Sequence, residues 1–136
     1  MKSNRLFVFI VLLFSASMLH AASEPVKVVL HVNDGHKIGH LGKSVQNIRK
    51  ELGEDVRIKV VVNGKAVTRL LKTNTKNVEV IQSVLKQKVP IGLCHNAVNN
   101  NRVNKNLLIE GLDILNTDGN VTVLNFQRQG YIYIKM

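Results

Sequence analysis

The chain has 136 residues, a formal net charge of +10 at pH 7 and a hydrophobic content of 45%. This apolar content is too high for a disordered chain, and a single cysteine, Cys94, excludes a disulfide scaffold within the chain. The lysines and arginines are scattered singly or in pairs, and aromatic residues that could stack on bases are few. We therefore expect a basic surface but no nucleic-acid partner.

The first 22 residues have the pattern of a secretory signal peptide. Lys2 and Arg5 form a basic start, and Leu6 to Leu19 is apolar apart from two serines. This run is shorter than the roughly 20 residues that span a bilayer. Cleavage after Ala22 would leave residues 23–136 as a single exported domain, which we expect to have no contact with the membrane.

Hydrophobic patterning predicts alternating strands and helices in the rest of the chain. Val26–Val32 is rich in β-branched residues and is followed by turn residues, which is typical of a buried strand. Apolar residues recur at helical spacing from Leu41 to Leu52, and Gly53 ends that helix. The later predictions are a strand over Val56–Val62, a short helix over Ala66–Lys72, a helix with Asn77 as its N-cap, a strand over Val89–Leu93, a weak helix over Ala97–Val103, a strand over Leu112–Leu115, a helix over Val121–Arg128 and a strand over Tyr131–Lys135.

This alternation is typical of the α/β class. We predict a three-layer α/β/α sandwich with a mostly parallel five-stranded sheet, whose apolar strands are buried on both faces. Ligands of such sheets bind beyond the carboxyl ends of the strands. Four segments meet this condition: Asn33-Asp34-Gly35-His36, Asn63-Gly64, Cys94-His95-Asn96 and Asn116-Thr117-Asp118-Gly119.

Cys94 is the candidate nucleophile among these segments. A thiol at the start of a helix faces unpaired backbone N–H groups, which stabilise a thiolate, and a protonated His95 would add to this effect. A free cysteine also commonly fills core space. Spacing alone therefore leaves an inert, buried Cys94 as an open alternative.

A metal site is the weaker interpretation of the histidines. His36 and His40 are four residues apart, and His31 and His95 could join them only through the fold. Glycines surround the first pair, and no His-x-Glu or Cys-x-x-Cys spacing indicates zinc. Gly-x-Gly-x-x-Gly, P-loop and Gly-x-Ser-x-Gly motifs are also missing from the sequence. We therefore predict no metal and no cofactor, and we interpret Asp34 as a turn residue.

Several motifs occur in an order that can be compared with known families. They are VVLHVNDG at the first strand, VVVNG at the second, VPIGLCHNAV from Val89 to Val98, and the ending QRQGYIYIK. Together they resemble the DsrE/DsrF-like family, in particular its small exported members with a YchN-like fold. The resemblance covers Val26 to Lys135 and implies a homo-oligomer, a trimer or a hexamer. It also implies that the cysteine after the third strand, here Cys94, carries sulfur as a persulfide.

Three functions follow as alternatives, and whether the protein is an enzyme stays open. The first is a periplasmic sulfur carrier or sulfurtransferase-like relay, in which Cys94 accepts sulfur from a donor protein or a small sulfur anion and passes it on. Its substrate would be bound by Asn33, Asn63, Gly64, His95 and Asn96. The second is a non-enzymatic module that binds a small anion or a protein and has a structural cysteine. The third is a structural component of an oligomer whose apolar ending, Tyr131 to Ile134, packs near a subunit contact.

Overall fold

One parallel sheet organises residues 24–136, the part of the chain that the computed structural model describes. Its five strands in this part are β1 (Lys27–Val32), β2 (Arg57–Val62), β3 (Ile91–Leu93), β4 (Asp113–Ile114) and β5 (Ile132–Lys135). Their order across the sheet is β4-β3-β2-β1-β5, and every neighbouring pair is parallel. The predicted α/β fold is confirmed. The predicted signal peptide, residues 1–22, lies outside the described residues.

Four α-helices and three 3-10 helices connect the strands within residues 24–136. The α-helices are α1 (Leu41–Leu52), α2 (Thr75–Lys86), α3 (His95–Asn100) and α4 (Gly119–Arg128). The first, second and third 3-10 helices are Gly35–His40, Gly64–Arg69 and Lys105–Leu107. None of the described helices is both long enough and apolar enough to cross a membrane.

Four helices, α2, α3, α4 and the second 3-10 helix, begin earlier than predicted, and side-chain capping explains the start of α2. Helix α2 begins at Thr75, because the side chain of Asn74 accepts a hydrogen bond from the backbone N–H of Asn77. Asn77, which we predicted to be the cap, lies in the first turn and donates its side-chain amide to the Arg69 carbonyl at 2.9 Å. Helix α3 begins at His95 rather than at Ala97, directly after strand β3 and its connecting residue. The predicted helix over Ala66–Lys72 is a 3-10 helix that starts earlier, at Gly64.

The two faces of the sheet have unequal cores. Helices α1, α2 and α3 pack with the first two 3-10 helices over one face, which holds most of the buried apolar side chains. Helix α4 is the only described helix in the smaller core on the other face, where Val29, Val61 and Val123 are buried. The ammonium of Lys59 lies 4.4 Å from the centre of the Phe126 ring on this face. Helices therefore cover both faces, as the sandwich prediction requires.

Strand β5 departs from the predicted burial on both faces. It lies at the edge of the sheet beside β1, with Val28 opposite Ile132 and Leu30 opposite Ile134. All four of its residues are exposed, and Ile132 retains 57% of its accessible surface. Its hydrophobic sequence is therefore not explained by burial within a single chain.

Candidate functional site

Cys94 lies at the carboxyl end of β3 and is the N-cap residue of α3. Its backbone N–H donates to the carbonyl of Val62 at 2.9 Å, which ties the start of α3 to the neighbouring strand β2. The side chain is buried, with 1% of the residue exposed. The predicted position of the thiol at the start of a helix is therefore confirmed, but the thiol does not face open solvent.

The loop after β4 covers the sulfur atom. The backbone N–H of Gly119 donates to Cys94 Sγ at 3.2 Å, and the thiol lies 3.6 Å from Oδ2 of Asp118, to which it donates. A Cβ atom at position 119 would lie 3.0 Å from the Cβ of Cys94 and 3.2 Å from Nδ2 of Asn63. The absence of a side chain on Gly119 thus allows the start of α4 to lie directly on the thiol.

Asp118 is held in place by three further donors. Its Oδ1 accepts the backbone N–H of Asn120 at 2.8 Å, and its Oδ2 accepts the side-chain amide of Asn96 at 3.2 Å. The Asn120 hydrogen bond is the largest cause of a pKa of Asp118 below its ordinary value, and partial desolvation acts in the opposite direction. The hydrogen bonds from Asn96, Cys94 and the backbone of Val121 lower the pKa further. The carboxylate beside the thiol is therefore ionised at neutral pH.

The two groups that contact the sulfur can serve different parts of a reaction. The Gly119 N–H donates a hydrogen bond to Sγ, so it can stabilise negative charge that develops on the sulfur. The Asp118 carboxylate accepts the S–H hydrogen bond, so it is placed to take the thiol proton. The site thus places Sγ between a proton acceptor and an N–H donor.

Asn63 belongs to the same site, because its side chain contacts the loop that covers the sulfur. Asn63 is the N-cap of the second 3-10 helix and accepts the Gly64 N–H at 2.6 Å. Its side-chain amide donates to Oδ1 of Asn120 at 3.2 Å. Gly64 has a φ of +58°, in the left-handed region that glycine adopts without strain. The structure therefore joins Asn63 and Asn96 to the loop that covers the sulfur, whereas Gly64 contacts Asn63 and not this loop.

His95 and Asn33, the other two predicted substrate-binding residues, have different surroundings. The His95 side chain is exposed, and its Nε2 lies 2.9 Å from the side-chain amide of Asn99. Asn33 lines a separate cavity between the first two 3-10 helices. Neither residue has a side-chain hydrogen bond to Cys94 within residues 24–136.

The histidines form no metal cluster in this part of the chain. Within residues 24–136, no three His, Cys, Asp or Glu side chains lie close enough together to hold an ion. His31 is buried in β1, where its Nδ1 lies 3.1 Å from the hydroxyl of Tyr133 and its Nε2 has no partner among the described residues. Burial, followed by the positive charge of Lys135, lowers the pKa of His31.

The sequence interpretation missed three residues that complete the site: Asp118, Gly119 and Asn120. Asp118 and Gly119 lay in one of the four segments selected by the strand-end rule, but neither was assigned a role. The available signal was an aspartate, followed by Gly and Asn, directly before an apolar helical pattern. Aspartate at such a position is a common N-cap. The Asp118 side chain indeed caps α4 through the N–H of Asn120.

Fold and site together define an α/β/α sandwich with a lone cysteine at the carboxyl edge of a parallel sheet. Residues 26–136 match the model of the DsrE/DsrF-like family, and the chain belongs to this family. The resemblance seen in the sequence motifs is thus confirmed. Among the curated proteins, none matches the chain.

Solved structures support the fold assignment. A protein of unknown function from Methanobacterium thermoautotrophicum, MTH1491, superposes with a TM-score of 0.73 at 26% identity, over 82% of this chain and 99% of its own. The YchN protein from E. coli has a TM-score of 0.64 at 15% identity, over 82% and 100% of the two chains. BT1422 from Bacteroides thetaiotaomicron, also of unknown function, has a TM-score of 0.66 at 16% identity, over 86% and 100%. For YchN and BT1422, which have these lower identities, the likeness concerns the fold alone.

Proposed function

We propose that the protein is a sulfur carrier in which Cys94 accepts a sulfur atom as a persulfide and passes it to an acceptor thiol. The observation that carries this proposal is the placement of Sγ between the N–H of Gly119 and the carboxylate of Asp118. This pair can receive the thiol proton and stabilise the sulfur anion that remains. Membership of the DsrE/DsrF-like family supports the same function.

The transfer needs no external oxidant or reductant. The deprotonated sulfur of Cys94 attacks the outer sulfur of a donor persulfide, a new S–S bond forms, and the S–S bond of the donor breaks. The donor leaves as a thiolate with the bonding electron pair and takes up the proton that Cys94 released. With thiosulfate as the donor, sulfite is the leaving group. The Asp118 carboxylate, which already accepts the S–H hydrogen bond, lies on the path of that proton.

Access to the sulfur requires the covering loop to move. Cys94 is buried, and Asp118 and Gly119 contact it from the start of α4. Asn63 and Asn96 hold this loop through their hydrogen bonds to Asn120 and Asp118. We assign both asparagines a positioning role, in which they set how readily the loop opens towards a donor.

Intact-protein mass spectrometry with glutathione persulfide, and separately with thiosulfate, tests the proposal. The folded protein should gain one sulfur atom, and Cys94→Ser should gain none. Subsequent addition of dithiothreitol should remove the added sulfur. A folded wild-type protein that gains no sulfur from either donor would contradict the proposal.

The low exposure of Cys94 favours a second function, a non-enzymatic binding module with a structural cysteine. In this case the polar residues around the thiol would bind a small anion or a protein without reacting. Cys94→Ser would then leave ligand-induced stabilisation unchanged. In the same case, iodoacetamide would label the wild-type thiol only at the rate of global unfolding.

We also propose that the protein acts in the periplasm after removal of residues 1–22. The basic start and the short apolar run of the sequence support this location. The mass of the protein recovered from the periplasmic fraction of a two-membrane host tests it. The measured mass should correspond to a chain that begins at Ser23 or one residue earlier. The mass of the uncleaved chain would contradict the proposed location.

We further propose that the protein forms a homo-oligomer, a trimer or a hexamer, through the edge strand and α4. Exposed apolar side chains on these elements support the proposal: Val121, Leu124, Ile132, Tyr133 and Ile134. Edge strands also present unpaired backbone groups that a partner can cover. Sedimentation should show an oligomer that Leu124→Glu dissociates and that Leu52→Glu, at an exposed leucine of α1, leaves intact. A monomer at every concentration would contradict this proposal.

A further inference from the structure

A polar cavity of about 420 Å³ lies between the first and second 3-10 helices, beyond the carboxyl ends of β1 and β2. Its volume is in the range of small-molecule sites, and its position is where ligands bind in open parallel sheets. The side chains that line it include Asn33, Asp34, His36, Lys65, Thr68 and Arg69. The sulfur-carrier mechanism uses none of the four side chains of His36, Lys65, Thr68 and Arg69.

The charge of this cavity is positive and is not neutralised by ion pairs. Lys65 and Arg69 line it from the second 3-10 helix, and neither belongs to a salt bridge within residues 24–136. Asp34 is the only carboxylate among the lining residues, and its Oδ1 accepts the backbone N–H of His36. Two permanent cations and one histidine therefore face one carboxylate that is already hydrogen-bonded.

The fold holds Arg69 in position from two sides. A Cβ at Gly35 would lie 2.6 Å from Cγ of Arg69, so the arginine stem crosses directly over the glycine backbone. The carbonyl of Arg69 accepts the amide of Asn77, a buried side chain with 8% exposure. Arg69 also lines an adjoining cavity of about 280 Å³, together with Lys76. Arg69 thus lines two polar cavities, and a hydrogen bond from a buried side chain supports its backbone.

We propose that this cavity binds an oxyanion group of the phosphate or sulfate kind, either free or as part of a small molecule. A guanidinium offers paired N–H donors that match such oxygens, and a nearby ammonium adds a further charged donor. Arg69 and Lys65 supply these two groups, and the exposed imidazole of His36 supplies a third donor at the rim. The proposal goes beyond the sulfur-carrier function, because it concerns a second site with its own ligand.

Calorimetric titration at constant ionic strength tests the proposal with inorganic phosphate, inorganic sulfate and glycerol 3-phosphate as probes. At least one probe should bind saturably with one site per chain. Tighter binding of glycerol 3-phosphate than of phosphate would identify an oxyanion on a small molecule, and equal binding would identify the free ion. The absence of saturable binding for all three probes would overturn the proposal.

Variants distinguish binding in this cavity from a general attraction of anions to the basic surface. Lys65→Gln and Arg69→Gln should each weaken binding of the bound probe about tenfold, because each removes a charge-assisted donor. Lys43→Gln and Arg57→Gln remove the same charges at exposed positions outside the cavity and should change affinity less than about twofold. Equal weakening by pocket and control variants would overturn the proposal.

Two further variants keep this test independent of folding and of the sulfur chemistry. Gly35→Ala leaves the charge unchanged but forces the Arg69 stem to move, so it should also weaken probe binding. Lys65 is exposed, so Lys65→Gln should fold normally even if Gly35→Ala does not. Cys94→Ser should retain full probe binding, and Lys65→Gln should still accept sulfur from glutathione persulfide. Loss of probe binding in Cys94→Ser would contradict the proposal that the oxyanion cavity is separate from the Cys94 site.

Discussion

Gly119 donates its backbone N–H to Cys94 Sγ at 3.2 Å, and this contact joins the start of α4 to the start of α3. The two helices follow different strands, β4 and β3, which are neighbours in the parallel sheet. The thiol is therefore enclosed by a loop that is distant in sequence, and the reactivity of Cys94 depends on that loop.

Gly119→Ala tests how tightly the loop is packed on the thiol. The added methyl group would lie 3.0 Å from the Cβ of Cys94, so we expect a loss of about 1–3 kcal/mol in the free energy of unfolding in urea. Gly39→Ala is the matched control, because no atom lies within 4 Å of the Cβ position there. Equal stability of the two variants would show that the loop is loosely packed.

Asp118→Asn should slow the loading of sulfur onto Cys94. The Asp118 carboxylate accepts the S–H hydrogen bond and takes the thiol proton in the proposed transfer, which a neutral amide cannot do. The rate at which the folded protein gains sulfur from glutathione persulfide should therefore fall several-fold. Asp113→Asn, at an exposed carboxylate in β4, should leave this rate unchanged. Loading of Asp118→Asn at the wild-type rate would contradict the assigned role of Asp118.

Asp118 should also contribute to stability in a pH-dependent manner. Its pKa is lower in the folded protein than the ordinary value of 3.8, mainly because of the Asn120 N–H, so the unfolded chain binds this proton first on acidification. The stabilisation is present above that ordinary value and is lost as the pH falls through the folded pKa. Urea unfolding between about pH 6 and about pH 3 should therefore show a smaller acid-induced loss for Asp118→Asn than for the wild type. An equal loss of stability in the two proteins over this pH range would contradict this prediction.

His31 should destabilise the fold in a different pH range. Burial and Lys135 lower its folded pKa below the ordinary 6.5, so the unfolded chain takes up the proton first as the pH falls below that value. The wild type should therefore lose stability from about pH 7 to about pH 5, and His31→Phe should lose less. The exposed His40 provides the control His40→Gln, which should behave as the wild type. An NMR titration of the His31 imidazole gives the folded pKa directly, and a value at or above 6.5 would contradict the account.

The order of strands and helices could be predicted because the buried elements have strong periodic patterns. Val56–Val62 and Leu41–Leu52 were predicted within one residue of the observed ends. The 3-10 helix at Gly35–His40 was not predicted, because it has one buried apolar residue, Ile38, and therefore no helical pattern. The exposure of Ile132 was not predicted either, since a β-branched strand at the sheet edge has the same sequence pattern as one in the centre.

The candidate site could be predicted in part. The rule that ligands bind at strand ends selected Cys94, Asn63 and Asn96, and the structure joins all three to one loop. The pairing of the thiol with Asp118 could not be predicted, because it depends on how two helix starts approach each other across the sheet. His95, adjacent to Cys94 in sequence, instead contacts Asn99 one turn further along α3, which is the ordinary i, i+4 neighbour on a helix.

The most direct test of the sulfur-carrier account follows one sulfur atom on and off Cys94 in the folded protein. The protein is loaded with glutathione persulfide labelled at the outer sulfur, separated from the donor, and then given an acceptor thiol, with the Cys94 peptide analysed by mass spectrometry at each step. The account predicts that Cys94 gains the labelled sulfur and that the label then appears on the acceptor. An unmodified Cys94 peptide after loading, or a label that the acceptor cannot remove, would contradict it.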